Sequence, residues 1–217
     1  MFTAVLWDFG GVILSSPFEA FNHYEASAGL PRDFIRSVNA TNPHANAWAL
    51  LERNEISPAD FDHAFAADSI ALGHEVRGAA VLALLAGEIR PRMVAALDAV
   101  RAAGYKTACL TNNIVSHDVE SMVTADDRST AIAGVMTRFD ATVESSKVGV
   151  RKPEPRFYEI ACELLGVHPA ECVFLDDLGI NLKPAAAMGM ATIKVVDPDV
   201  ALAELGALLN LSFPAGS

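Results

Sequence analysis

Short apolar runs alternate with helical periodicity through the second half of the chain. Lys106 to Leu110, Ala141 to Glu144, Val173 to Leu175 and Ala191 to Val196 are too short for helices and predict buried strands. Between them, Pro91 to Ala103 starts at a proline and stops before Gly104, and Pro155 to Leu165 stops before Gly166, which predicts sheet-covering helices. With the apolar run Ala4 to Trp7 as a first strand, this alternation predicts an α/β fold, a doubly wound parallel sheet with helices on both faces. From about Phe18 to Ile89 strand alternation disappears, and helix starts such as Ser57-Pro58-Ala59-Asp60 take its place. The pattern predicts a core of residues 1–14 and 91–217, with a small helical cap of residues 15–90 inserted after the first strand and lying over Asp8.

Composition narrows the partners. The chain has 217 residues, 52% hydrophobic and 20% charged, enough for one substantial core and a small accessory unit. A formal charge of -11 offers no general basic surface, so nucleic acid and anionic membranes are not expected partners. Cys109, Cys162 and Cys172 fall in no metal-ligand spacing and read as reduced core thiols. No basic segment followed by an apolar stretch opens the chain, and no run of about 18 apolar residues occurs, so a cytoplasmic location is expected. The six histidines show no paired ligand spacing and read as surface or packing residues.

The chemistry gathers at predicted strand ends. Ala4-Val5-Leu6-Trp7-Asp8-Phe9-Gly10-Gly11 places a carboxylate after an apolar run and before two glycines, where a small ligand can reach it. Cys172-Val173-Phe174-Leu175-Asp176-Asp177-Leu178-Gly179 repeats the arrangement with two adjacent carboxylates. Three carboxylates brought together repel one another unless a hard cation neutralises them, which suggests Mg2+. Ala108-Cys109-Leu110-Thr111-Asn112-Asn113 ends a strand in a hydroxyl and amides suited to oxyanion oxygens, with Asn113 read as a turn residue. Val148-Gly149-Val150-Arg151-Lys152-Pro153-Glu154-Pro155 sets a lysine in a proline-fixed loop, a point charge for a phosphate or for the nucleophile.

In this order, the four segments resemble the haloacid dehalogenase superfamily, and most closely the amino-terminal phosphatase domain of soluble epoxide hydrolases and the related domain of an acyl-CoA dehydrogenase family member. The longest likeness is Phe174-Leu175-Asp176-Asp177-Leu178-Gly179-Ile180-Asn181-Leu182-Lys183-Pro184-Ala185. The resemblance spans essentially the whole chain, the insertion matching in position and length only. It implies a Rossmann-like core, and a Mg2+-dependent phosphohydrolase acting on a small phosphorylated metabolite or lipid phosphate. By the same likeness Asp8 is the nucleophile, forming an aspartyl phosphate that water hydrolyses. Mg2+ would be held by Asp8, the Gly10 carbonyl and Asp177, with Asp176 close by or acting through water. Thr111 and Asn112 would bind phosphate, Lys152 would stabilise charge, and Asn181 would support the metal side.

One position departs from the pattern. Phosphatases of this superfamily usually carry a second aspartate two residues after the nucleophile, the acid that protonates the leaving oxygen, and here that position is Gly10. Losing a general acid costs about 10²- to 10⁴-fold, most with a poor leaving group. Slow turnover of alkyl phosphates is expected, with acyl, aryl or anomeric sugar phosphates suffering less. His23 and Glu19 of the insertion are candidate replacements. Two other readings stand beside the phosphatase: a dehalogenase-like hydrolase, since a halide leaving group needs no proton, and a weakly active or inactive phosphometabolite-binding protein. The first sits badly with the acidic pair Asp176 and Asp177, and with the aromatic residue that haloacid dehalogenases usually carry at the Gly10 position.

Overall fold

Alternate residues of Ala4–Trp7 and of Cys172–Leu175 face opposite helical layers, and both sets are apolar, which is what the centre of a parallel sheet buried on both faces requires. The computed structural model describes residues 1–85, 87–113 and 127–213. Its sheet comprises β1 (Ala4–Trp7), β2 (Lys106–Thr111), β3 (Ala141–Glu144), β4 (Cys172–Asp176) and β5 (Ala191–Lys194). All pairings are parallel, in the order β3-β2-β1-β4-β5. The chain builds outward from β1 on one side through β2 and β3, then crosses to the other side for β4 and β5. The order therefore reverses at β1, and ligands of open α/β sheets bind at the carboxyl ends beside such a reversal.

Among the described residues, the insertion after β1 holds five helices: α1 (Phe18–Ser27), α2 (Phe34–Ala40), α3 (Ala47–Glu52), α4 (Pro58–Ala71) and α5 (Gly78–Ala83). Ser57 opens α4 with a reciprocal cap, accepting from the Asp60 backbone N–H while the Asp60 side chain accepts from Ser57 N–H. The remaining helices are α6 (Pro91–Ala102), α7 (Asp127–Met136), α8 (Ser145–Val148), α9 (Pro155–Leu165), α10 (Gly179–Ala187) and α11 (Pro198–Leu209). Val5, Trp7, Cys109, Val173 and Leu175 pack with α6 and α11 on one face of the sheet. Leu6, Leu110 and Phe174 pack with α9 and α10 on the other. A third cluster, including Phe21, Phe34, Ile35, Leu51, Phe61 and Phe65, lies wholly within the five-helix insertion.

Two linkers join that insertion to the sheet, and they pair with each other. Leu14 and Ile89 form an antiparallel bridge. Arg90 N–H donates to Ile13 O at 2.8 Å and Ser15 N–H to Glu88 O at 2.8 Å. Strand β5 is shorter than the apolar run predicted: it ends at Lys194, Val196 is exposed, and Asp197 accepts from the Asp199 and Val200 N–H groups as the cap of α11. All three cysteines are free and buried. No helix among the described residues is long and apolar enough to cross a membrane.

Candidate active site

The turn after β1 sets Asp8, itself buried, at the carboxyl end of the strand. Phe9–Ile13 is a wide turn closed by Leu14 N–H donating to Phe9 O at 2.8 Å. Gly11 within it takes φ 77°, ψ -12°, a left-handed conformation costly for residues with a Cβ. Space forbids a side chain there as well, since a Cβ on Gly11 would lie 2.2 Å from Asp177 Oδ2. Gly11 is thus what lets the carboxylate following β4 approach the turn following β1. Gly10 is different: it is exposed, has φ -70°, and a Cβ on it would meet nothing within 4 Å.

Lys152 ties the two strand ends together. Its side chain is 1% exposed, and Nζ lies 2.7 Å from both Asp8 Oδ1 and Asp176 Oδ2. Burial alone would favour the neutral amine, but Asp176 and Asp8 outweigh it and hold the lysine charged, well above its ordinary range. Asp8 Oδ1 also accepts from Phe9 N–H at 2.6 Å. Both contacts fall on one oxygen, so among the described residues Oδ2 is the one with no hydrogen bond. Burial pushes the Asp8 carboxyl up against the pull of Lys152, and the charges of Asp176 and Asp177 push the same way.

Asp176 is saturated. Its Oδ1 accepts from Leu178 N–H at 2.8 Å and Asn181 Nδ2 at 3.0 Å, and its Oδ2 accepts from Lys152 and from Asn181 at 3.1 Å. Asn181 is itself buried, and its carbonyl accepts from Tyr158 OH at 2.7 Å. These contacts make Asp176 an anchor for Lys152. Asp177 is only half-buried and accepts from Ser16 Oγ at 3.3 Å. Burial and the neighbouring Asp176 raise its pKa to about 6.

One oxygen from each of Asp8, Asp176 and Asp177 lies within 4.8 Å of the others. Three carboxylates against one lysine leave two formal negative charges uncompensated, and the donors are all oxygen, which fits a hard divalent cation such as Mg2+. The raised pKa of Asp177 and the space that Gly11 leaves for it mark the uncompensated side of the cluster.

Thr111 closes β2 at the same end of the sheet, with 9% exposure. Asn112 follows it, but its side chain is engaged away from a phosphate: Lys152 N–H donates to Oδ1 at 2.9 Å, and Nδ2 donates to Lys152 O at 3.0 Å. With acceptor and donor both on the Lys152 backbone, the Asn112 side chain holds the lysine loop. Asn113 bridges β2 to α8, donating to Glu144 and accepting from Ser146 Oγ at 2.8 Å. His23 is exposed on α1, and the Glu19 side chain lies outside the described residues.

Ser16, Arg90 and Glu52 belong to this neighbourhood and were not singled out from sequence. Arg90 Nη1 donates to Gly11 O at 2.7 Å, so the returning linker clamps the turn beside Asp8. Glu52, at the end of α3, is ion-paired with Arg151 and accepts from Asn112 Nδ2 at 3.3 Å. A serine after a strand and an arginine before a proline carry no local signal, because each acts through a contact distant in sequence.

A family model described as haloacid dehalogenase-like hydrolase matches residues 2–189. Mouse acyl-CoA dehydrogenase family member 10 is 33% identical over 220 residues, covering 99% of this chain and 20% of that protein. Mouse bifunctional epoxide hydrolase 2 is 32% identical over 219 residues, covering 96% of this chain and 39% of its own length. The chain thus spans well under half of either relative. A sesquiterpene phosphatase of Aspergillus oryzae is 26% identical and aligns over 96% of this chain and 97% of its own. Among solved structures, a HAD family enzyme of Bacteroides thetaiotaomicron in complex with magnesium and inorganic phosphate superposes with a TM-score of 0.56 at 20% identity, covering 89% of this chain and 94% of that one. L-2-haloacid dehalogenase of Xanthobacter autotrophicus, with chloropropionic acid covalently bound, gives 0.59 at 22%, covering 99% and 85%.

Proposed function

The chain belongs to the haloacid dehalogenase-like hydrolases, and from that premise we propose that it is a Mg2+-dependent phosphohydrolase acting on a small phosphorylated metabolite or lipid phosphate. The observation that carries this reading is Asp177: a carboxylate set beside Asp8 through the space left at Gly11, with its charge not taken up by Lys152. Displacement of a halide calls for no such acidic excess, whereas phosphoryl transfer calls for a cation against spread negative charge.

In this reading Asp8 Oδ2 attacks phosphorus while Oδ1 stays pinned by Lys152 and Phe9 N–H, which aims the free oxygen out of the turn. Asp8, Asp177 and the Gly10 carbonyl would hold Mg2+, with Asp176 behind them; when bound, the ion supplies neutralisation of phosphoryl oxygens. Lys152 sets its charge beside the reacting group, held by Asp176, which Asn181 in turn orients. The Thr111 hydroxyl would face the oxyanion with the Asn112 backbone N–H, the Asn113 N–H being taken by Ser145 Oγ at 3.1 Å. Water then hydrolyses the aspartyl phosphate. No side chain at Gly10 donates a proton to the leaving oxygen, so good leaving groups are favoured.

The test is Mg2+-dependent phosphate release from p-nitrophenyl phosphate and a panel of phosphorylated metabolites, comparing the parent with Asp8→Asn. Turnover lost with EDTA and with Asp8→Asn supports the reading. Turnover of a 2-haloacid that survives EDTA would favour a dehalogenase. Mg2+ binding with no phosphate release would favour a phosphometabolite-binding protein.

A further inference from the structure

Resting on the phosphatase reading above, we propose that Glu52, carried by the helical insertion, is a positioning residue for Lys152. It acts through Asn112, which holds the lysine's own backbone, and through Arg151, the lysine's neighbour in the chain.

The contacts form a short chain. Glu52 Oε2 accepts from Asn112 Nδ2 at 3.3 Å, and the same amide brackets Lys152, with Nδ2 on its carbonyl at 3.0 Å and Oδ1 on its N–H at 2.9 Å. A carboxylate is an acceptor only, so it tolerates only the NH2 side of Asn112. That choice leaves Oδ1 facing the Lys152 N–H. The reversed amide would set oxygen against the carboxylate and against the Lys152 carbonyl, and NH2 against N–H, three repulsive contacts at once. Glu52 therefore reinforces, from the insertion, the one orientation in which Asn112 grips the lysine loop.

The second arm runs through the neighbouring residue. Glu52 is ion-paired with Arg151, and the two side chains are 8% and 12% exposed. Arg151 Nη1 also donates to Pro43 O at 2.8 Å, in the segment before α3, so the insertion holds this guanidinium at two points. Glu154 extends the contact, accepting from Arg151 N–H at 3.3 Å and lying 3.9 Å from Arg53 Nη1. Lys152 sits between these anchored residues, and its Nζ must meet Asp8 and Asp176 at 2.7 Å each. Misplacing a reacting group by about 1 Å can cost about 10²-fold in rate. The lysine is thus seated only when the insertion is docked, which makes the covering unit a condition for the charge arrangement at Asp8.

The experiment compares the full-length parent with Glu52→Ala and Glu52→Gln. It reads hydrogen exchange of the Lys152 N–H by NMR, together with steady-state hydrolysis of p-nitrophenyl phosphate with Mg2+. In Glu52→Ala the Lys152 amide is expected to exchange about tenfold faster or more, and kcat to fall about 10- to 100-fold with KM shifted much less. Glu52→Gln should recover part of both, because its amide oxygen still accepts from Asn112. Unchanged Lys152 exchange in either folded variant, or a loss confined to KM, overturns the proposal. Should Glu52→Ala fail to fold, the exchange of Lys152 in Glu52→Gln decides it alone. A parent that releases no phosphate overturns the phosphatase reading, and the exchange comparison still decides whether Glu52 seats the lysine.

Discussion

The two consecutive glycines after Asp8 do different work, and exchanging each for alanine separates backbone conformation and space from mere position. At Gly11 the left-handed φ of 77° costs a residue with a Cβ roughly 1–2 kcal/mol. For a chain of this size that lowers Tm by about 2–8 °C. The added carbon also falls 2.2 Å from Asp177 Oδ2, inside any real contact distance, so the carboxylate must swing away from Asp8. Since Asp177 is a proposed ligand, Mg2+ affinity should fall by about 10- to 100-fold, a loss of the size seen when a metal's supporting contacts are removed. At Gly10 the φ of -70° suits any residue, and a Cβ meets nothing within 4 Å. Gly10→Ala should therefore leave stability unchanged or raise it slightly, by about 0.4–1 kcal/mol through the unfolded chain, with Mg2+ binding intact. Scanning calorimetry with and without Mg2+, and isothermal titration of the ion, read both effects. Gly11→Ala that melts and binds Mg2+ like Gly10→Ala would refute the claim that this glycine makes room for Asp177.

Two further outcomes follow from the same geometry. The folded-state pKa of Asp177 lies near 6 against an ordinary 3.8, so between those values the native state binds more protons than the unfolded chain, and stability of the metal-free protein falls as pH rises through that window. Asp177→Asn should then stabilise the metal-free protein at pH 7 by up to about 1–3 kcal/mol, read as a higher Tm, and abolish the gain that Mg2+ confers; a lower metal-free Tm would count against the assignment. Gly10→Asp places a carboxyl in the open space beside Asp8 and should speed hydrolysis of an alkyl phosphate by on the order of 10²-fold, with a smaller gain on p-nitrophenyl phosphate. Equal gains on both substrates, or none, would remove the leaving-group argument.

What could be read from the chain was local. The strand runs, the prolines that open α6 and α9, the Ser57 cap and the carboxylates at the ends of β1 and β4 all signal within a few residues, and the structure brings Asp8, Thr111, Lys152, Asp176 and Asp177 to the same end of the sheet. What escaped depends on partners far away in sequence. Ser16 meets Asp177 across 161 positions, Arg90 meets Gly11 across 79, and Asn112 meets Lys152 across 40. Asn112 shows the difficulty best, since an amide at a strand end is equally suited to an oxyanion or to a peptide group, and only the fold decides which one lies against it. The end of β5 was misjudged for a related reason: Val195 and Val196 favour a strand, but Asp197 starts a helix, and tertiary context prevailed over local preference.

The paired linkers at Leu14 and Ile89 bear on how such a chain can change over evolutionary time. The insertion leaves and re-enters the sheet domain through two neighbouring linker segments, and among the described residues its apolar cluster shares no residue with the clusters on either face of the sheet. Any polypeptide whose ends meet at the spacing of an antiparallel pair would close the same gap. New substrate preferences can then arise by exchange of the whole segment, as one part swapped on a fixed mount, with the reacting groups inherited intact. The mount is selective in one respect: a replacement segment must also bring an acceptor to Asn112 and Arg151, or the lysine it covers will not be held.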